Sequence, residues 1–208
     1  MWRAIKMEKG FMCISSLDRF DELRRFLTSF QKHNSLPICT FLARDIVEAH
    51  RIKSYCGWFT PFDHTVFLDT DMMINGDLSE LFSIVGKERL GIVRERGVKV
   101  LNSGVLVFPK ELMQNLNLEW NEGYETKIEG GFRGEKGTWD QDILNCLLKQ
   151  NPKDYPHIEL PSKWNHIIKD VTPEEELRVY DEVKIFHFLH HPGVPRKKYK
   201  SYQEFMKL

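Results

Sequence analysis

The chain has 208 residues, 30 Lys+Arg against 30 Asp+Glu, and a sequence pI near 7.1. That balance excludes a general nucleic-acid coat and a strongly basic membrane-surface protein. Hydrophobic residues make up 41% and aromatics 12%, enough for a sizeable core, which excludes intrinsic disorder. No apolar run approaches the ~20 residues of a spanning helix. The first ten residues carry Arg3, Lys6, Glu8 and Lys9, unlike a secretory signal. Cys13, Cys39, Cys56 and Cys146 are far apart and show no Cys-x-x-Cys pair. The expectation is reduced, mostly buried thiols in a cytoplasmic protein.

In chain order, residues 11–16 form an apolar run that ends in Ser15-Ser16 and read as a buried strand. Leu23, Phe26, Leu27 and Phe30 recur at spacings of three and four, which predicts an amphipathic helix over 21–33. A second strand follows at 38–43. Strand, helix and strand in succession predict a βαβ unit and a parallel sheet. Residues 46–58 read as a helix, 65–68 as a third strand, and 78–85 as a short helix. Strands are expected at 90–94 and 105–108, helices at 112–124 and 140–149, and last strands at 158–160 and 183–188. Residues 129–137 read as a glycine-rich functional loop. The fold expected is one α/β domain over residues 1–208, with a central, mostly parallel sheet flanked by helices.

The strongest chemical signal is Val66-Phe67-Leu68-Asp69-Thr70-Asp71. Two carboxylates stand just past a buried strand, and open parallel sheets bind ligands beyond the carboxyl ends of their strands. Hard oxygen ligands there suit Mg²⁺ or Mn²⁺, although Asp-x-Asp is also an ordinary solvated turn. Asn102-Ser103-Gly104 reads as a polar turn leading into the strand at 105–108. Asp140-Gln141 stands at the start of a helix, where Asp140 could equally be an N-cap. His187 lies in a late apolar strand, the usual place of a core histidine.

Together and in this order, these segments resemble glycosyltransferase family 8, the glycogenin-like and lipopolysaccharide galactosyltransferase-like enzymes. The features that carry the resemblance are Lys53, Asp69/Asp71, Asn102-Ser103-Gly104, Asp140-Gln141-Asp142-Ile143-Leu144-Asn145 and His187-Phe188. Leu160-Pro161-Ser162-Lys163-Trp164-Asn165 matches the family's Leu-Pro-x-x-x-Asn stretch. The resemblance covers residues 53–187. It implies a GT-A fold, a Rossmann-like domain that moves a hexose with retention from a nucleotide-sugar, UDP-glucose or UDP-galactose foremost. It also implies a metal, Mn²⁺ or else Mg²⁺, held by Asp69, Asp71 and His187. Lys53 would lie near the donor diphosphate or sugar, and Asn102 and Ser103 would hold sugar hydroxyls. Asp140 and Gln141 would lie beside the anomeric carbon.

Two departures stand out. Ile14-Ser15-Ser16-Leu17-Asp18-Arg19-Phe20 lacks the family's base-stacking tyrosine, and the glycine and lysine that normally follow His-Phe are displaced. Arg196 or Lys197 would then replace that lysine. Residues 190–200 are the dense basic cluster of the chain and read as a flap over the donor. The other readings of this segment are contact with an anionic acceptor or lipid surface and a solvated tail. The chain is short for the family and reads as a minimal catalytic core. Its acceptor is an unknown glycan, lipid or protein, and no nucleic acid or membrane span is expected. The rival readings are a non-catalytic sugar-nucleotide-binding protein of the same fold and a haloacid-dehalogenase-type phosphatase. The phosphatase would place Gly-Thr where Met72-Met73 follows the acids.

Overall fold

The computed structural model describes residues 7–95, 99–129, 139–189 and 196–208. The chain opens with β1 (Met7–Ser16), α1 (Phe20–Gln31) and β2 (Ile38–Ala43). β1 and β2 run parallel, from Phe11 opposite Ile38 to Ser16 opposite Ala43, as the βαβ reading requires. α1 buries Leu23, Phe26 and Phe30 against the sheet, the stripe that its spacing predicts.

The helix expected over 46–58 is two helices, α2 (Ile46–Lys53) and α3 (Cys56–Phe59). Asp45 caps α2 by accepting from Glu48 N. The break falls where the Ser54 hydroxyl bonds Arg51 O at 2.8 Å and Tyr55 N bonds back only three residues, to Ile52 O. Next come β3 (Phe62–Leu68), β4 (Met72–Ile74), α4 (Glu80–Val85), β5 (Leu90–Arg94) and β6 (Leu101–Pro109). Then follow α5 (Lys110–Glu129), α6 (Trp139–Gln150), β7 (His157–Leu160), β8 (His166–Ile167), α7 (Pro173–Val179), β9 (Ile185–His187) and α8 (Lys200–Met206).

The main sheet has the order β2-β1-β3-β6-β5-β7, and a small sheet has the order β4-β9-β8. The main sheet is mostly parallel: β1 pairs parallel with β2 and β3, and β5 with β7, while β6 runs antiparallel between β3 and β5. Alternation along the strands splits the core into two layers. Phe11, Cys13, Val66 and Leu68 face α1 and α4. Met12, Phe67, Leu106 and Phe108 face α5 and α6 with Trp120 and Leu144. A third cluster, with Phe186, Phe188, Tyr199 and Phe205, joins the small sheet to α8.

Three further expectations need correction. Asn102-Ser103-Gly104 is not a turn but part of β6: Asn102 pairs with Val93 of β5, Ser103 N donates to Gln141 of α6, and Gly104 O accepts from Asp69 N. The thiols are free, as expected, but only Cys13 and Cys56 are buried; Cys39 is half-buried and Cys146 exposed. The last strand is three residues, shorter than 183–188, and it belongs to the small sheet. The glycine-rich loop, apart from Glu129 at the end of α5, lies outside the described residues. So do residues 190–195 of the basic segment. Its remainder is a 3-10 turn, Arg196–Lys198, leading into α8. No helix among the described residues is long and apolar enough to cross a membrane.

Candidate active site

Asp69, Thr70 and Asp71 are the link between β3 of the main sheet and β4 of the small one. The link is fixed at both ends by backbone: Asp69 N donates to Gly104 O at 2.9 Å, and Phe188 N donates to Asp71 O at 2.9 Å. Register places Met72 opposite His187, so β9 delivers the imidazole to the acids. One ligand atom each from Asp69, Asp71 and His187 lie within 4.8 Å of one another. His187 Nε2 stands 3.0 Å from Asp71 Oδ1. Gly104 is required here, since a Cβ on it would meet His187 Cε1 at 2.6 Å and Met72 Cε at 2.8 Å.

The imidazole is held by a chain of amides. Gly104 N donates to Asn102 Oδ1 at 2.9 Å. Asn165 Nδ2 donates to the same oxygen at 2.8 Å, and Asn165 Oδ1 faces His187 Nδ1 at 2.8 Å. A backbone N–H can only donate, so Asn102 must present its oxygen and Asn165 its amide hydrogens toward it. Asn165 therefore turns its own oxygen to His187, and Nδ1 carries the hydrogen. Nε2 is left to face the acids, the orientation of a metal-ligating histidine with an outer hydrogen-bond partner.

On the Asp69 side stands Lys53, at the end of α2 and 6% exposed. Its ammonium lies 3.0 Å from Asp69 Oδ1, 3.1 Å from Ser103 Oγ and 3.2 Å from Asp140 Oδ2. Burial alone would lower its pKa, but Asp140 and then Asp69 outweigh burial and raise it above the ordinary lysine value. Asp140 shows the converse. Burial pushes its pKa up, but the charges of Lys53 and His50, with hydrogen bonds from Lys53 and Ser103, bring it down to about 2. Asp140 is thus an ion-pair partner, not the N-cap of α6. Its second oxygen, Oδ1, faces His50 Nδ1 at 3.7 Å.

α6 reaches β6 through its amides. Gln141 Oε1 accepts from Ser103 N at 3.0 Å. Asn145 Oδ1 accepts from Leu101 N at 2.8 Å, and Asn145 Nδ2 donates to Leu101 O at 2.7 Å. Gln141 and Asn145 are four residues apart and share a helix face, so they substitute for a strand where β6 overhangs β3.

On the Asp71 side, burial raises the Asp71 pKa, but His187, Arg196 and Arg19 outweigh it and hold the carboxyl well below the usual carboxylate range. Glu22, in the first turn of α1, is pushed up to about 7 by burial and by the charge of Asp71, against the opposing pull of Arg19, Thr70 and Arg196. The Thr70 hydroxyl donates to Glu22 Oε1 at 3.3 Å.

The structure thus gathers Lys53, Asp69, Asp71, Asn102, Ser103, Asp140, Gln141 and His187 in one place. Arg196 is half-buried beside the charges of Asp71 and Glu22. Lys197 is exposed, and only its backbone carbonyl, which accepts from Gln203, is engaged locally. Asn102 and Ser103 use their side chains internally, to orient His187 and to saturate Lys53. Sequence reasoning missed Glu22, Arg19, His50 and the role of Asn165. The Leu-Pro-x-x-x-Asn stretch was the available signal for the last.

No protein-family model matches the chain. The chain is 26% identical over 170 residues to the human xylosyl- and glucuronyltransferase LARGE1, a match covering 70% of this chain and 22% of that protein. The chicken LARGE1 matches at 25% over the same length. The chain therefore spans about a fifth of the length of these curated relatives. Among solved structures it is similar to the glycosyltransferase GlyE of Streptococcus pneumoniae TIGR4, with TM-score 0.69, 18% identity, and coverage of 97% of this chain and 61% of that one. It is also similar to the WbbM bifunctional glycosyltransferase, with TM-score 0.64, 12% identity, and coverage of 100% of this chain and 50% of that one. The α/β fold built around this site is one that solved glycosyltransferases use.

Proposed function

We propose that the chain is a metal-dependent, retaining glycosyltransferase unit of the GT-A type, related to glycosyltransferase family 8. It takes a nucleotide-sugar, UDP-linked, and passes the sugar to a hydroxyl of a glycan, lipid or protein. The observation that carries this reading is the convergence of Asp69, Asp71 and an Nδ1-protonated His187 beside the Lys53–Asp140 pair.

Two carboxylates and an imidazole suit Mn²⁺ or Mg²⁺ better than Ca²⁺, which prefers an all-oxygen set of six to eight ligands. Asp69, Asp71 and His187 would hold the cation, and when bound it would offset the charge that grows on the departing diphosphate. Asn165 keeps Nε2 of His187 directed at that site. Lys53 keeps Asp140 ionised and fixes the carboxylates of Asp69 and Asp140 in place. Asp140 Oδ2 is committed to Lys53 and Ser103, so its Oδ1 is the oxygen that can meet a sugar. Gln141 spends its carbonyl on the Ser103 backbone. We therefore assign the contact with the reacting sugar to Asp140 and a supporting role to Gln141. Names of the matched relatives add xylose and glucuronate to glucose and galactose as donor sugars to screen.

The test is calorimetry of UDP with Mn²⁺ on the wild type and on Asp71→Asn. Metal-dependent UDP affinity is expected in the first and not in the second, with unchanged circular dichroism. Equal affinity in both proteins refutes the metal assignment. Release of UDP from UDP-sugars separates an enzyme from a sugar-nucleotide-binding protein that lacks catalysis.

A further inference from the structure

The assignments above use the Asp69 side of the link for chemistry. The Asp71 side carries a second set of charges that they leave idle. Glu22 Oε1, besides its bond from Thr70, stands 3.8 Å from Arg19 Nη1. Arg19 follows β1 in a single 3-10 turn, and its side chain is only 24% exposed. Arg196 enters from the C-terminal segment and buries its Nη2 without a hydrogen-bond partner. This segment is pinned from below: the fully buried Glu176 accepts from Lys200 N at 2.8 Å and from Ser201 N at 2.6 Å. Tyr199 adds a bond from its hydroxyl to Val171 O at 3.0 Å. Arg19 therefore faces Glu22, which Thr70 ties to the Asp69–Asp71 link, and Arg196, from a separate element, is half-buried and adds to the charges acting on Asp71.

We propose that Arg19 and Arg196 form a two-guanidinium seat for the diphosphate of the donor, and that Glu22 is the internal anion that holds Arg19 until the diphosphate takes its place. The proposal rests on the nucleotide-sugar reading and adds to it a residue outside that set. The chemistry is direct. A cation between Asp69 and Asp71 would draw the Asp71 charge to itself, leaving the arginines a surplus that one carboxylate does not offset. A diphosphate bound to one divalent ion still carries uncompensated oxygens. Guanidinium forks match such oxygens two at a time, which an ammonium does not. Arg19 and Glu22 form only an ion pair at 3.8 Å, beyond hydrogen-bond distance, a loose hold that a diphosphate oxygen at normal hydrogen-bond distance outcompetes.

Calorimetry with magnesium pyrophosphate tests the seat without the nucleoside. Arg19→Gln is expected to weaken binding about tenfold and to flatten its salt dependence, with Arg19→Lys between it and the wild type. Glu22→Gln is expected to strengthen binding several-fold by releasing Arg19. This gain should vanish in the Arg19→Gln/Glu22→Gln double variant. A residue that only held the fold would weaken binding when replaced, so weaker binding in Glu22→Gln overturns the proposal. Binding in Arg19→Gln within twofold of wild type also overturns it. A parallel titration with UDP and Mn²⁺ separates the two levels. Pyrophosphate binding that depends on Arg19 in a protein that ignores UDP supports the seat and removes the nucleotide reading. UDP bound equally by the wild type and Arg19→Gln removes the seat and leaves that reading standing.

Discussion

Asn165 Oδ1 takes the Nδ1 hydrogen of His187 at 2.8 Å, and its orientation is dictated two amides away by the backbone N–H of Gly104. The position of the ring hydrogen on His187 is thereby written into a β-strand. Asn165→Ala should leave the fold in place and lower Mn²⁺ affinity about 10- to 100-fold, the usual effect of losing such an outer partner. Calorimetry with Mn²⁺ checks it. Affinity equal to the wild type would show that the amide chain has no bearing on the metal.

Gly104→Ala should act on the same histidine by crowding. The new methyl would stand 2.6 Å from His187 Cε1 and 2.9 Å from Asn102 Oδ1, so the ring must leave its present position. We expect loss of Mn²⁺ binding together with a stability loss of about 1–3 kcal/mol. Urea unfolding and Mn²⁺ titration of the same sample read both effects, and retained Mn²⁺ affinity would contradict the crowding argument.

Lys53 holds two carboxylates from a buried position. Lys53→Met leaves Asp140 buried without its main counter-charge, and removing one partner of such a pair costs about 3–5 kcal/mol. Adding Asp140→Asn to Lys53→Met should restore most of that stability while leaving activity lost. If the double variant were no more stable than the single one in urea, the cost would lie in packing over Phe67 and not in the stranded charge.

His64 gives a pH dependence far from the site. Burial, with Lys9 and Lys87 nearby, lowers its pKa to about 4, and its Nε2 has no partner. A histidine with a depressed folded pKa contributes full stability above its unfolded value near 6.5, because the unfolded chain then binds no extra proton. This contribution is lost as pH falls from about 6.5 toward 4, by about 3 kcal/mol at most. His64→Phe should flatten the stability profile across that window. A profile as steep as the wild type would assign the acid sensitivity to other groups.

Much of this architecture was legible in the sequence because continuous segments carry it. The strand at 11–16, the striped helix after it and the strand at 38–43 announce themselves by period and composition. Asp69, Asp71 and Asp140 were legible because their motifs sit at strand and helix ends. The small sheet was not. β4, β8 and β9 are two or three residues each, too short for a period, and they come from distant parts of the chain. α7 did carry a readable signal: Thr172 and Glu175 form a capping box with Pro173 inside the first turn. Arg19 and Glu22 look like a solvated i, i+3 pair until Thr70 is folded against them. Sequence shows that Asn102 and Ser103 are polar, but not that Asn165, Asp140 and Lys53 already engage their side chains.

The three residues Asp69, Thr70 and Asp71 are also the place where the chain leaves one sheet for the other. Each flank is locked into its own ladder, so the separation of the two acids is governed by how the sheets are seated against each other and not by a flexible loop. A cation gripped there would work as a rivet across a seam. Chelation should therefore loosen the join before either core: amide exchange at Met72–Ile74 is expected to slow when Mn²⁺ is added, while exchange in β1 stays as it was.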